Sequence, residues 1–239
     1  MWWEAPTRWV VYLDTGRAVI RCRDRSNLRG AWKHVGVVRR NGLADALRAT
    51  NATGSLSVVL GSSLCRFETL REASSIWRSA DLAALARSRI QERIREDASS
   101  LRVATEAAWG SSAIACAIGA GVRADIESAA ASCGLTLTSV RPWIGELFVA
   151  IAPQIKGARA VAVREADSVT LAIEQEGSPS IQTLPARDEA SASECLRLLL
   201  TGAAVAASSL RRFRLNPYGQ HEGHRIRHSF ADLVFAVDA

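Results

Sequence analysis

Three imidazoles fall within eight residues near the C-terminus, His221, His224 and His228, with Glu222 among them. Imidazoles and a carboxylate at such spacing are a zinc donor set, and His224 and His228 would share one face of a helix. Gly223 weakens a helix there, and Arg225 and Arg227 set positive charge beside the would-be cation. The residues therefore favour a surface tail over a metal-dependent enzyme. Two further groups follow apolar runs: Asp14-Thr15-Gly16, and Arg164-Glu165-Ala166-Asp167-Ser168 with its two carboxylates. Asp and Gly both suit a hairpin turn, so the first group reads as an ordinary turn on its own terms. Asp81, Glu92, Glu96 and Asp97 lie on or beside a helix surface and read as solvating charges. The chain has no Gly-x-Ser-x-Gly elbow, P-loop or His-Glu-x-x-His.

The elements that must position these residues come from hydrophobic periodicity. Residues 9–23 alternate around Asp14-Thr15-Gly16 as a β-hairpin. Trp32–Val38 is a third strand, 43–49 a short helix, 56–60 a buried-type strand, and 65–70 strand or extended. The clearest helix spans 79–96, with Leu82, Ala86, Ile90 and Ile94 at every fourth position and Ser79 or Asp81 as its cap. Strands follow at 101–107 and 112–118. A helix over 125–133 stops at Gly134, a C′ residue, and 135–140 is extended before a helix over 143–151. Strands at 159–164, 168–174 and 180–184 precede a helix over 188–210, interrupted at Thr201-Gly202. Residues 216–224 read as loop and 226–237 as an edge strand. Pro153-Gln154-Ile155-Lys156-Gly157 is the best boundary, which divides the chain into 1–152, 153–215 and a C-terminal 216–239.

The composition fits a folded domain of 239 residues with 48% hydrophobic and 23% charged residues. Of the 30 basic residues only Lys33 and Lys156 are lysine, and the arginines are spread along the chain. The net charge of +6 is mild, and the densest basic stretch, 210–214, suits a solvated face or an acidic partner better than nucleic acid. Trp2, Trp3, Trp9, Trp32, Trp77, Trp109 and Trp143 are scattered, as core or subunit-contact residues are, rather than forming a base-stacking platform. Five separated cysteines without a CxxC pair exclude a cysteine zinc cluster and suit a reducing cytoplasm. The first six residues lack the basic and apolar regions of a signal peptide. No apolar run reaches membrane-spanning length, so contact with a membrane would go through a partner.

The order strand, strand, strand, helix, strand, helix, followed by three strands and a helix, resembles the duplicated actin-like (ribonuclease H-like) fold, an α/β architecture of two mixed-sheet halves with packed helices. In character it is similar to the cytoplasmic actin-like subunits of type IV pilus and type II secretion machines, the PilM and GspL families. Leu60-Gly61-Ser62-Ser63-Leu64-Cys65-Arg66-Phe67 resembles their strand-to-helix passage, and Ser132-Cys133-Gly134-Leu135-Thr136-Leu137-Thr138-Ser139-Val140 their helix, glycine stop and strand. The resemblance covers roughly residues 8–210 in pattern and order.

The resemblance implies a phosphate-holding turn at Asp14, Thr15 and Gly16, where a carboxylate orients hydrated magnesium and a glycine admits a phosphate to backbone N–H groups. Here Arg17-Ala18-Val19-Ile20 replaces the family's small hydroxylated residues. The second turn lacks glycine, Arg141-Pro142-Trp143 replaces an expected acid, and no late glycine pair seats an adenine. The expectation is a degenerate ATPase-type fold without catalysis or cofactor, from a Gram-negative-type bacterium. It would scaffold a pilus or secretion assembly at the cytoplasmic face of the inner membrane. Protein subunits are the expected partners, through Trp2 and Trp3, and a homodimer is compatible. A switch subunit binding ATP with Mg at Asp14, Thr15 and Gly16 is the alternative.

Overall fold

The computed structural model describes residues 7–23, 32–71, 78–94, 101–109, 112–145, 160–175, 178–203, 210–216, 224–227 and 232–236. The first strand, β1 (Arg8–Leu13), is buried from Trp9 to Leu13. Burial on both faces is the mark of a central strand covered on either side. β2 (Arg17–Arg23) returns antiparallel, with Leu13 opposite Ala18 and Arg8 opposite Arg23. β3 (Lys33–Arg39) pairs antiparallel with β2 through a bulge beside Ile20 and Arg21. After α1 (Leu43–Ala49) the chain runs back as β4 (Ser55–Leu60), parallel to β1. Asn51 closes α1 at φ 49°. Its N–H reaches the Arg48 carbonyl, and the next N–H, of Ala52, reaches Leu47, a Schellman ending.

β5 (Cys65–Leu70), α2 (Ser79–Ile94), β6 (Leu101–Trp109) and β7 (Ser112–Gly119) follow. They make a separate antiparallel sheet in the order β5-β7-β6. Leu82, Ala86 and Ile90 of α2, spaced at every fourth residue as expected, pack on Leu70, Leu101, Ala113, Ala115 and Ala117. The alanines of β7 leave room for the leucines and the isoleucine of the helix. The first intrahelical bond of α2 is Leu82 N–H to Arg78 O. Arg78 is therefore the N-cap, and the expected caps Ser79 and Asp81 lie inside the first turn, where Asp81 complements the helix dipole.

α3 (Ala120–Ser132) starts five residues earlier than its periodicity predicts, because β7 runs into it without a turn. It ends as expected: Gly134 has φ +67°, and Leu135 N–H reaches Ala130 O. β8 (Thr136–Pro142) then joins β4 in parallel, and the sheet order is β3-β2-β1-β4-β8. A helical turn opens at 143–145, where Trp143 is fully buried.

The second series repeats the first. β9 (Ala160–Arg164), β10 (Ser168–Gln175) and β11 (Ser178–Pro185) form an antiparallel meander. α4 (Glu189–Ala203) then leads to β12 (Leu210–Asn216), parallel to β9. The order β11-β10-β9-β12 matches β3-β2-β1-β4. α4 lays Ala192, Leu199 and Ala203 on Ala160, Ala162, Val169, Leu171 and Ile173. The sequence expectation of a helix as far as Leu210 is corrected here: residues 210–216 are a strand. Leu210 pairs with Ala160 and Phe213 with Val163, and a free ladder edge on a buried strand outweighs the modest helix preference of Leu and Arg. β13 (His224–Arg227) and β14 (Asp232–Ala236) form an antiparallel hairpin inside the tail expected as loop and edge strand.

The chain divides into two compact units, one of Met1–Gly61, Ala124–Ile151 and Asn216–Ala236, the other of Ser62–Arg123, Ala152–Leu215 and Val237–Ala239.

α4 opens on a reciprocal cap. Ser191 N–H donates to Asp188 Oδ1 at 2.7 Å, and Asp188 N–H donates to Ser191 Oγ at 3.0 Å. These bonds, with Arg164 nearby, hold the Asp188 carboxyl below its ordinary range. A carboxyl whose folded pKa is depressed adds stability above its unfolded pKa, and that stability is lost as pH falls through the folded value. Asp188→Ala should therefore lower the melting temperature at pH 7. The gap to the native protein should close as pH falls below the carboxylate range, measured by thermal unfolding across acidic pH.

Candidate functional site

The two turns that follow the first strand of each series have the same frame. Asp14 N–H donates to Arg17 O at 3.0 Å, and Glu165 N–H donates to Ser168 O at 2.8 Å. Each turn thus joins its strands through three residues beginning with a buried acid, Asp14 at 3% and Glu165 at 1% exposure. The acids are used differently.

Asp14 folds back on its own turn. Its Oδ1 accepts from Gly16 N–H at 2.8 Å and Arg17 N–H at 2.6 Å, an Asx-type closure. Those are the amides that a phosphate-holding turn would present to an anion. Thr15 and Gly16 are exposed. Gly16 is not forced by the backbone, because a Cβ there would meet only Asp14 Oδ1 at 3.9 Å and its φ is not in the left-handed region. The aspartate, rather than the glycine, makes this turn.

Thr15 and Gly16 border a cleft of about 580 Å³ floored by Leu13, Leu43, Ile126 and Ala129. Arg40 lies on it, with its N–H bonded to Gly16 O and its guanidinium 2.9 Å from Asp125 Oδ2. The structure therefore brings two of the three expected nucleotide residues, Thr15 and Gly16, to this rim and buries the third, Asp14, beside an ion pair that sequence reasoning did not anticipate.

Glu165 is one methylene longer and reaches beyond its turn. Both its oxygens accept from Ser62 N–H, at 3.0 and 3.2 Å, and Ser168 Oγ lies 3.4 Å away. Asp167 Oδ2 accepts from Ser63 Oγ at 2.7 Å. The two carboxylates of the second turn thus grip the backbone of 62 and the side chain of 63, in the 3-10 turn Ser62–Leu64. The Leu60–Phe67 motif holds half of this clamp and the 164–168 motif the other half, but nothing in either marks them as partners.

Cys65, just after that turn, is buried, and its thiol is pushed well above its ordinary pKa, first by a hydrogen bond with Cys116 and then by desolvation. It is protonated at neutral pH and is no nucleophile. Among the described residues no three His, Cys, Asp or Glu side chains converge as a metal site. His224 begins β13, while His221 and His228 lie outside the described residues, as do Trp2 and Trp3.

Asp14→Asn keeps the Oδ1 acceptor and should leave the melting temperature near native. Asp14→Ala strands the Gly16 and Arg17 amides and should cost about 1–3 kcal/mol in urea unfolding. Glu165→Ala should cost a similar ~1–3 kcal/mol by stranding Ser62 N–H. An Asp14→Asn variant as unstable as Asp14→Ala would show that the charge, not the turn closure, is what counts.

No protein-family model and no curated protein sequence matches the chain. Solved structures do. A Bacteroides thetaiotaomicron protein with an actin-like ATPase fold superposes with a TM-score of 0.61 at 6% identity, over 85% of this chain and 79% of that one. The cytoplasmic domain of EpsL, an inner membrane component of the Vibrio cholerae type II secretion system, matches at 0.54 and 11% identity, over 87% and 82%. A PilM–PilN type IV pilus biogenesis complex matches at 0.52 and 10% identity, over 84% of this chain and 66% of the other. With the repeated order of strands and helix, these likenesses give the chain its fold: it is an actin-like ATPase fold.

Proposed function

We propose that this chain is a non-catalytic, actin-like scaffold subunit of a bacterial pilus or secretion assembly. In this reading it binds other subunits at the cytoplasmic face of the inner membrane. The observation that carries it is the fate of the turn carboxylates: Asp14 Oδ1 is engaged by Gly16 and Arg17 N–H, and Glu165 by Ser62 N–H. Acids committed to their own backbone are poorly placed to orient a metal-bound phosphate, and Arg17 follows the turn where a small hydroxylated residue would serve a nucleotide. The fold likeness to the EpsL cytoplasmic domain and to the PilM–PilN complex supports the choice of machine. No helix among the described residues is long and apolar enough to cross a membrane, in keeping with attachment through a partner. Trp2 and Trp3 are the proposed contact, since a tryptophan buries a large rigid area at low entropic cost.

The nucleotide reading is tested by titrating the protein with a fluorescent ATP analogue, with and without magnesium, beside Asp14→Ala. The expected result is no binding at millimolar nucleotide. Magnesium-dependent micromolar binding lost in Asp14→Ala would instead make Asp14, Thr15 and Gly16 a phosphate site and the chain a nucleotide switch. In a two-hybrid assay against the inner-membrane subunits of the same bacterium's pilus and secretion machines, Trp2→Ala with Trp3→Ala should weaken the interaction at least tenfold without lowering the melting temperature. An undiminished signal would remove this contact.

A further inference from the structure

The two series treat their edge strands differently. In the second, β11 is closed off: Pro179 is buried and its carbonyl accepts from Thr69 Oγ1 of β5 at 2.5 Å. Pro179 and Pro185 also bring no N–H to a ladder. In the first, β3 holds the same place and has β2 as its one neighbour among the described residues. It contains no proline. Val35 and Val37 are 36% and 41% exposed, and a Cβ added at Gly36 would meet nothing within 4 Å.

The bonding groups of this edge are in order. Arg40 N–H reaches Gly16 O, on the β2 side, and Arg39 before it is extended at φ −65° and ψ 147°. Backbone groups alternate from edge to edge along a strand, so the N–H and C=O of Val37 and Arg39 point to the open side. Donors and acceptors at alternate residues are the groups that an incoming strand pairs with.

Charge selects the occupant. Lys33, His34 and Arg39 of β3 are exposed, and neither β3 nor β2 contains an acidic residue. None of the three has an ion-pair partner among the described residues. A second copy pairing antiparallel about Gly36 would set Lys33 against Arg39 at both ends, and like charges directly opposite repel. A lysine and a bulge, here beside Ile20 and Arg21, are how an edge is guarded against its own kind. An acidic strand meets the same charges as attraction. We infer that β3 takes up an extended segment of a partner protein by strand addition, acidic at both ends and small or apolar at its centre. The acids meet Lys33 and Arg39, and the centre lies along Val35, Gly36 and Val37. The surface stands independently of the scaffold reading.

The test is fluorescence anisotropy with a labelled peptide, Glu-Thr-Val-Thr-Val-Thr-Glu, whose ends are acidic in either strand direction. Saturable binding is expected, at least tenfold tighter than for the same peptide with lysine ends or with its five central residues N-methylated. Val37→Pro removes an outward N–H at an edge position, where proline is tolerated, and should weaken binding at least tenfold. Lys33→Glu/Arg39→Glu changes two exposed side chains and should turn the preference to the lysine-ended peptide, which decides the matter should Val37→Pro fail to fold. Equal binding of the N-methylated peptide, a preference that the charge reversal does not move, or no binding at millimolar peptide would overturn the inference. A dimer in sedimentation velocity that Val37→Pro dissociates would put a second copy on this edge and overturn the acidic partner.

Discussion

A carboxylate buried at the end of a strand has to find donors, because an unpaired buried anion costs more than a turn conformation can return. That requirement governs both turns where a nucleotide site would be sought in this fold. Asp14 meets it inside its own turn, at Gly16 and Arg17 N–H. Glu165, one methylene longer, meets it outside, at Ser62 N–H. The same constraint acting on side chains of different length stiffens a hairpin in one case. In the other it fixes the path of the chain into the 3-10 turn Ser62–Leu64. The two turns share a backbone frame and differ in what that frame holds.

Around this constraint the fold is assembled by ordinary burial. β1 is flanked by an antiparallel and a parallel neighbour, and β9 likewise. Both first strands are therefore buried runs: Trp9–Leu13 and Ala160–Val163. A parallel return demands a crossover, supplied by α1 before β4 and by α4 before β12. The helices fit because the opposing strands offer small residues where a helix must come close, as Ala160 and Ala162 do beneath Ala192 and Leu199. Each such leucine contributes about 1.5–3 kcal/mol of transfer free energy.

This much was legible in the sequence because it is written in local periodicity. The Asp14-Thr15-Gly16 hairpin, the Leu82-Ala86-Ile90 stripe and the Gly134 stop stand where the pattern puts them. Residues 210–216 were not legible as a strand, since Leu-Arg-Arg-Phe-Arg satisfies a helix as well, and only the open edge of β9 decides. The clamp of Ser62 and Ser63 by Glu165 and Asp167 joins residues 103 and 104 positions apart, a pairing no local pattern carries. Of the two turn-forming residues the sequence offers, Asp14 makes the closure and Gly16 is not required by the backbone.

The pattern of bonds at the Asp14 turn also bears on how a scaffold differs from a switch within one fold. A ligand shifts a conformational equilibrium only by as much as its affinity differs between the two states. Where turn amides are held open for a phosphate, the turn closes properly only when the phosphate is present, and occupancy becomes conformation. Where the amides are closed by a side chain of the same turn, the turn is complete without a ligand. A nucleotide then finds little differential affinity to exploit. Asp14 performs that closure here, bonded to both amides at 2.6 and 2.8 Å. On the scaffold reading proposed above, the hairpin would keep one geometry whether or not nucleotide is at hand.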